Sequence, residues 1–134
     1  MGYIQVLGCF SASMTIDKHQ SSQILYHNDQ SYLIDCGEST QALIIKYKIK
    51  LSSINNIFIS HLHGDHYFGL PGLITTMNRK GRTKPLAVYG PRGLKEILTT
   101  MFKYGKSWTK FDLIINEISD EEKIIFSENL IEIE

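Results

Sequence analysis

The alternation of apolar and polar positions divides the chain into short strands and amphipathic helices. Tyr3 to Leu7 alternates and reads as a strand closed by Gly8. Ser22 to Tyr26 and Ser31 to Asp35 read as two more, joined through His27-Asn28-Asp29-Gln30, whose turn-favouring centre predicts an antiparallel hairpin. Between Ser39 and Tyr47 the apolar positions Ala42, Leu43, Ile45 and, beyond them, Ile49 move to a helical spacing. Ile54 to Ser60 returns to β character, and the run Ile57-Phe58-Ile59 predicts a strand buried on both faces. Gly69 to Met77 opens with Pro71 and Gly72 and predicts a helix; Leu86 to Tyr89 predicts a strand, and Leu94 to Phe102 a helix presenting Leu94, Ile97, Leu98 and Met101 on one face. Three strands follow, over Phe111 to Ile118, Lys123 to Phe126 and Leu130 to Ile133. The pattern predicts a mixed α/β layer structure in one domain.

Composition agrees with a single core: 134 residues, 43% hydrophobic. No apolar run approaches the roughly 20 residues of a membrane span and no signal-peptide pattern opens the chain, so the expectation is a cytoplasmic protein with no membrane partner. Cys9 and Cys36 lie at strand ends in no disulfide or metal spacing and read as buried thiols. The formal net charge of zero is unevenly spread. Residues 1–116 hold 13 Lys/Arg against 7 Asp/Glu, whereas residues 117–134 hold 1 against 7. A basic body of this kind attracts a phosphate backbone; an ordinary solvated surface explains it nearly as well.

Three of the five histidines fall in Ser60-His61-Leu62-His63-Gly64-Asp65-His66, at the end of the apolar strand. On extended backbone His61 and His63 point the same way, Gly64 permits a turn, and Asp65 and His66 face the same region from the next helix. Imidazole and carboxylate donors without thiolate suit Zn²⁺, with Mn²⁺ or Fe²⁺ as alternatives. Two ions in one pocket would lower the pKa of a shared water and stabilise charge on an attacked phosphoryl or acyl group, so hydrolysis is the expected reaction class. His19 and His27 stand alone in polar stretches and read as surface residues.

His61-Leu62-His63-Gly64-Asp65-His66 is the His-x-His-x-Asp-His signature of the metallo-β-lactamase fold. Asp35-Cys36-Gly37-Glu38-Ser39-Thr40-Gln41, Phe58 through Leu73, and Val88-Tyr89-Gly90-Pro91-Arg92-Gly93-Leu94 resemble ribonuclease Z (tRNase Z) in particular. The resemblance implies an αββα sandwich and a zinc-dependent endoribonuclease. Such an enzyme removes the 3′ trailer from precursor tRNA by attack of metal-generated hydroxide on a phosphodiester, leaving a 3′-hydroxyl on the tRNA. It further implies two zinc ions per complete site, His61 and His63 on the first and Asp65 and His66 on the second. Asp65 would also be the proton acceptor, Asp35 would orient the motif loop, and Gly69, Pro71 and Gly72 would be backbone devices. The family is commonly homodimeric.

Two departures from the family pattern stand out. The stretch from Ser11 to Gln20 lacks the Pro and Arg that many members carry, and no histidine follows His66. Residues 1–134 therefore read as the N-terminal part of one such domain, with a mixed sheet, flanking helices and the C-terminal half absent. On its own the chain is expected to be inactive or nearly so, with an apolar sheet face uncovered. For RNA, the expected phosphate-facing surface near the metal pocket is the loop Arg79 to Lys84 with Arg92 and Lys95, although a plain solvated loop accounts for it too; Trp108 and Tyr104 either stack bases or pack. The alternatives are another hydrolase of the superfamily, an arylsulfatase or a cyclic nucleotide phosphodiesterase, and a noncatalytic half-domain binding RNA or a partner chain.

Overall fold

The computed structural model describes residues 1–10, 13–121, 126–128 and 131–133. Six strands form one sheet in the order β1-β2-β3-β4-β5-β6: β1 (Gly2–Gly8), β2 (Ser22–His27), β3 (Gln30–Ile34), β4 (Ile54–Phe58), β5 (Leu86–Pro91) and β6 (Leu113–Ile118). The first three make an antiparallel meander, and β3 through β6 run parallel. Asn28 and Asp29, both at positive φ, form the two-residue turn between β2 and β3, where the primed turn geometry matches strand twist.

Parallel neighbours require crossovers, and helices supply them. α1 (Thr40–Lys46) and a single 3-10 turn at Leu51–Ser53 lead into β4; α2 (Gly64–Tyr67) and α3 (Leu70–Arg79) lead into β5; α4 (Leu94–Tyr104) leads into β6. Leu43 and Ile44 of α1, Leu73, Ile74 and Met77 of α3, and Leu94 and Leu98 of α4 form one buried cluster with Leu33, Ile57 and Val88 from the sheet. The buried face of α1 is thus Thr40, Leu43 and Ile44, and Ile45, expected inside, is exposed. Met101 of α4 is likewise exposed.

The other sheet face carries a second apolar layer. Tyr32, Phe58 and Tyr89 gather around Phe126 with ring centroids 4.9–5.8 Å apart. Phe126 begins a small antiparallel hairpin, β7 (Phe126–Glu128) and β8 (Ile131–Ile133), which forms a separate two-stranded sheet. The part of the expected 123–126 strand that precedes Phe126, and Leu130 before β8, lie outside the described residues. The strand alternation places Ile4, Val6 and Ile114 on this same face through their pairing with Leu25, Gln23 and Ala87, and all three are exposed, Ile4 at 62%. The expected uncovered apolar face is therefore present, capped in part by β7 and β8.

Cys36 is buried as expected, but Cys9 is exposed. The cause is local: β1 is an edge strand, and its register slips between Val6 and Gly8, where the backbone of His19 and Gln20 presses on Gly8. His19 and His27 are half-buried, not freely exposed, and His27 closes β2. Among the described residues no helix is long and apolar enough to cross a membrane.

Candidate metal centre

The motif begins where β4 ends. Ile59 is held to β5 by its N–H donating to the Tyr89 carbonyl at 2.7 Å; Ser60 to His63 then run out of the sheet, and Gly64 starts the one-turn α2. His61 and His63 are exposed at this open end with ring centroids 4.0 Å apart, and the rings of His61 and His66 are 5.5 Å apart. Gly64 is not at positive φ; a Cβ there would sit 2.2 Å from the ring of the exposed Phe68, which would have to turn aside.

Asp35, at the end of β3, organises the loop. It is 5% exposed with φ 60°, a left-handed backbone that Asp adopts more readily than most residues. Its Oδ1 accepts the Ser60 N–H at 2.8 Å, and its carboxylate takes the hydroxyls of Ser60 at 2.9 Å and Ser21 at 3.0 Å. Its Oδ2 lies 2.8 Å from His66 Nδ1. A carboxylate can only accept, so Nδ1 carries a proton, and in the neutral ring it is Nε2 that presents a lone pair. That Nε2 is 3.5 Å from Asp65 Oδ2.

Backbone contacts lock the same two segments. The Cys36 N–H donates to the His66 carbonyl at 2.7 Å, and the Gly69 N–H donates to the Cys36 carbonyl at 2.9 Å. A Cβ on Gly69 would stand 2.2 Å from the Gly37 carbonyl oxygen, and one on Gly37 would stand 2.5 Å from the Asp65 carbonyl oxygen. Both positions must be glycine for the loop after β3 and the motif helix to approach this closely. Gly37 was legible only as part of a motif, with no steric role visible. Pro71 sits in the first turn of α3, whereas Gly72 faces open space and has no steric reason to be glycine.

The sequence-predicted residues are therefore brought to one open end of the sheet as two donor pairs, His61 with His63 and His66 with Asp65. Among the described residues no group of three or more His, Cys, Asp or Glu side chains is arranged to hold an ion. The donors are imidazole nitrogen and carboxylate oxygen, and the Asp35–His66 contact is the second partner that an imidazole ligand characteristically has. In kind and in tautomer they fit a borderline metal such as zinc; in number they supply two ligands per pair.

Charge is segregated along the strand direction. Strands β3 to β6 all start at the end opposite the motif, and the helices return the chain there. Lys46, Lys48 and Lys50 follow α1 to this end. Arg79, Lys80, Arg82 and Lys84 close α3, and Lys103, Lys106 and Lys110 close α4, which places ten of the 14 Lys/Arg at this end; Asp29 and Asp112 are the acidic residues there among the described residues. The loop from Arg79 to Lys84 is thus remote from the motif, contrary to expectation, because the ten-residue α3 carries the chain back along the sheet. Arg82 is also structural: Nη1 donates to the Ile54 carbonyl, Nη2 to Asn55 Oδ1 and the Pro85 carbonyl, and Nε to the Lys84 carbonyl, at 2.7–2.9 Å. Burial without a carboxylate partner holds the pKa of its guanidinium below the usual value. Arg92 does lie at the motif end, beside Gly93, where a Cβ would be 3.4 Å from Leu62.

Comparison with known proteins agrees with the architecture. The chain is 40% identical over 126 residues to ribonuclease Z of Bacteroides fragilis, an alignment covering 94% of this chain and 41% of that protein. It superposes on human tRNase Z, short form, with a TM-score of 0.81 at 34% identity, covering 87% of this chain and 45% of that one. The metallo-beta-lactamase fold protein YhfI of Bacillus subtilis matches with a TM-score of 0.72 at 19% identity, over 94% of this chain and 48% of that one, a likeness of fold. The chain spans about two fifths of the length of the curated relatives it matches first, as expected of an N-terminal part. The fold is therefore that of the metallo-β-lactamases, the similarity to ribonuclease Z is found as the motifs implied, and since a family model described as anti-Pycsar protein Apyc1 matches residues 3–123, the chain belongs to that family.

Proposed function

We propose that residues 1–134 are the N-terminal part of a single metallo-β-lactamase-like domain whose activity is metal-dependent cleavage of precursor tRNA at the 3′ trailer. The observation that carries the reading is the grip of Asp35 on His66, which leaves Nε2 free beside Asp65 while fixing the ring. The identities to ribonuclease Z support the substrate class.

In this reading His61 and His63 hold one ion, and Asp65 and His66 hold the second. When bound, zinc supplies Lewis acidity and makes water acidic enough to attack at neutral pH. The chain's own residues do the rest. Asp35 and Ser60 keep the loop open toward solvent, and Asp65 accepts the proton of the attacking water. The bond from phosphorus to the 3′ oxygen breaks, that oxygen takes a proton from solvent to become the 3′-hydroxyl of the tRNA, and the phosphate stays on the 5′ end of the released trailer. Arg92, at the motif end, is the cation available to the phosphate.

The test is zinc uptake and substrate preference. His63→Ala and Asp65→Ala are expected each to lower bound zinc, and unchanged zinc content in both refutes the assignment. Precursor tRNA is expected to bind in preference to a cyclic nucleotide, with little turnover by the 134-residue chain because its donors come in pairs. Robust trailer cleavage by this chain refutes the incompleteness, and preference for the cyclic nucleotide transfers the site to a phosphodiesterase of the same fold.

A further inference from the structure

At the basic end of the sheet, Trp108 is 71% exposed and Tyr104 is 77% exposed, although large aromatic side chains are ordinarily drawn inside. The backbone at Trp108 is nonetheless anchored. Its carbonyl accepts from Asn78 Nδ2 at 3.0 Å, and Asn78 Oδ1 accepts the Lys110 N–H at 2.7 Å, tying the loop after α4 to the end of α3. Trp108 lines two hollows. One of about 200 Å³ is lined by Arg79 and Lys106; the other, about 470 Å³, runs along the edge between α4 and β6, from Trp108 over Phe102 and Ile114 to Lys95. Lys103, Lys106 and Lys110 alternate with Tyr104 and Trp108, and no carboxylate occurs between Glu96 and Asp112.

A solvated helix end would explain the lysines, because cations favour helix C-termini, but it gives no reason to hold a tryptophan in water between them. An exposed ring on an anchored stretch of backbone, flanked by cations and hollows, has the chemistry of a base-stacking platform: the ring takes the π face of a base, and the lysines take the phosphates on either side.

We infer that the loop from Tyr104 to Lys110, with Arg79, binds a single-stranded nucleic-acid segment of low sequence preference at the end of the sheet opposite the motif. The segment lies along the α4–β6 hollow, which leads to Lys95 and from there to the motif end. The inference goes beyond the proposed cleavage and needs no metal. A duplex suits the platform poorly, since its bases are already stacked on one another.

Trp108 is the only tryptophan, so its emission reports the site directly. The full chain is titrated with a 12-nucleotide oligouridylate, with poly-glutamate as a polyanion that has no bases. Saturable quenching by the oligonucleotide, and none by poly-glutamate, is expected. In the Lys103→Gln/Lys106→Gln/Lys110→Gln variant, the slope of log affinity against log salt falls by about 2, three contacts at roughly 0.7 each. By anisotropy of a labelled oligonucleotide, Trp108→Ala weakens binding on the order of tenfold. His63→Ala leaves quenching unchanged whatever it does to zinc, which separates this inference from the metal assignment. Absence of quenching, an unaltered salt slope in the triple variant, or equal quenching by poly-glutamate as an acidic protein partner would produce, overturns it.

Discussion

Replacing Asp35 by Asn and by Ala separates the two tasks of that carboxylate. It receives the Ser60 N–H, the Ser60 and Ser21 hydroxyls and His66 Nδ1, at 2.8–3.0 Å, in a buried position. Each bond to a charged acceptor is worth about 1.5–3 kcal/mol, but the hydroxyls can turn toward water. Asp35→Ala strands the Ser60 N–H and the His66 N–H, so a loss of about 3–5 kcal/mol is expected from urea unfolding. Asp35→Asn keeps the shape, tolerates the positive φ, and retains an oxygen for Ser60, so its expected cost is about 1–2 kcal/mol. The amide it presents to His66 Nδ1 is a donor, however, and drives the ring proton to Nε2. Zinc affinity, read by competition with a chromophoric chelator, is then expected to fall about 10–100-fold. Native zinc affinity in Asp35→Asn, or equal destabilisation by Asn and Ala, would refute the orienting role.

Further tests follow from single contacts. Gly69→Ala places a methyl against the Gly37 carbonyl and is expected to cost about 2–4 kcal/mol in denaturant unfolding, while Gly72→Ala, with open space around it, is neutral or stabilising by up to about 1 kcal/mol. Burial pushes the Cys36 thiol up from about 9 to about 12, so a disulfide reagent at pH 8 should titrate one thiol, Cys9, in the native chain and two in urea. Because the folded state holds that proton more tightly than the unfolded state, the contribution of Cys36 to stability is complete below about pH 9 and declines toward pH 12, a loss that Cys36→Ala removes from the pH profile. Ile4→Lys and Ile114→Lys, at exposed positions on the apolar sheet face, should reduce concentration-dependent association in sedimentation while changing the unfolding midpoint little.

Much of this arrangement was legible from local pattern. Alternation in β1, the continuous apolar run of β4 and short β-rich runs elsewhere mark the strands of the sheet, the Asn28-Asp29 turn marks the hairpin, and the motif follows the buried strand β4 as expected. What local pattern hides is the third dimension. Local pattern alone does not bring Asp35 to His66 across 31 positions; the resemblance implied that Asp35 orients the motif loop, and the contact itself exists only once β3 and β4 lie side by side. The loop from Arg79 to Lys84 lies near the motif in sequence and far from it in space, since a helix between parallel strands must run back to their start. Cys9 resembled Cys36 in its strand-end position; their opposite burial follows from β1 being an edge and β3 being central. The helical period of α1 is legible, but of the expected positions only Leu43 joins Thr40 and Ile44 on its buried face; Ile45, one residue and about 100° further round the axis than Ile44, is exposed.

The dependence of His66 on so distant a partner bears on the order in which folding and metal uptake occur. In the unfolded chain His61, His63 and His66 are a flexible string of imidazoles, able to chelate an ion with any ring nitrogen and without Asp35. Metal added before refolding therefore binds the unfolded chain too and gives up part of the stabilisation it confers on the folded one. Zinc supplied after β3 and β4 have docked meets a His66 whose Nδ1 is already committed, so late addition favours the native ligation and early addition a kinetic trap.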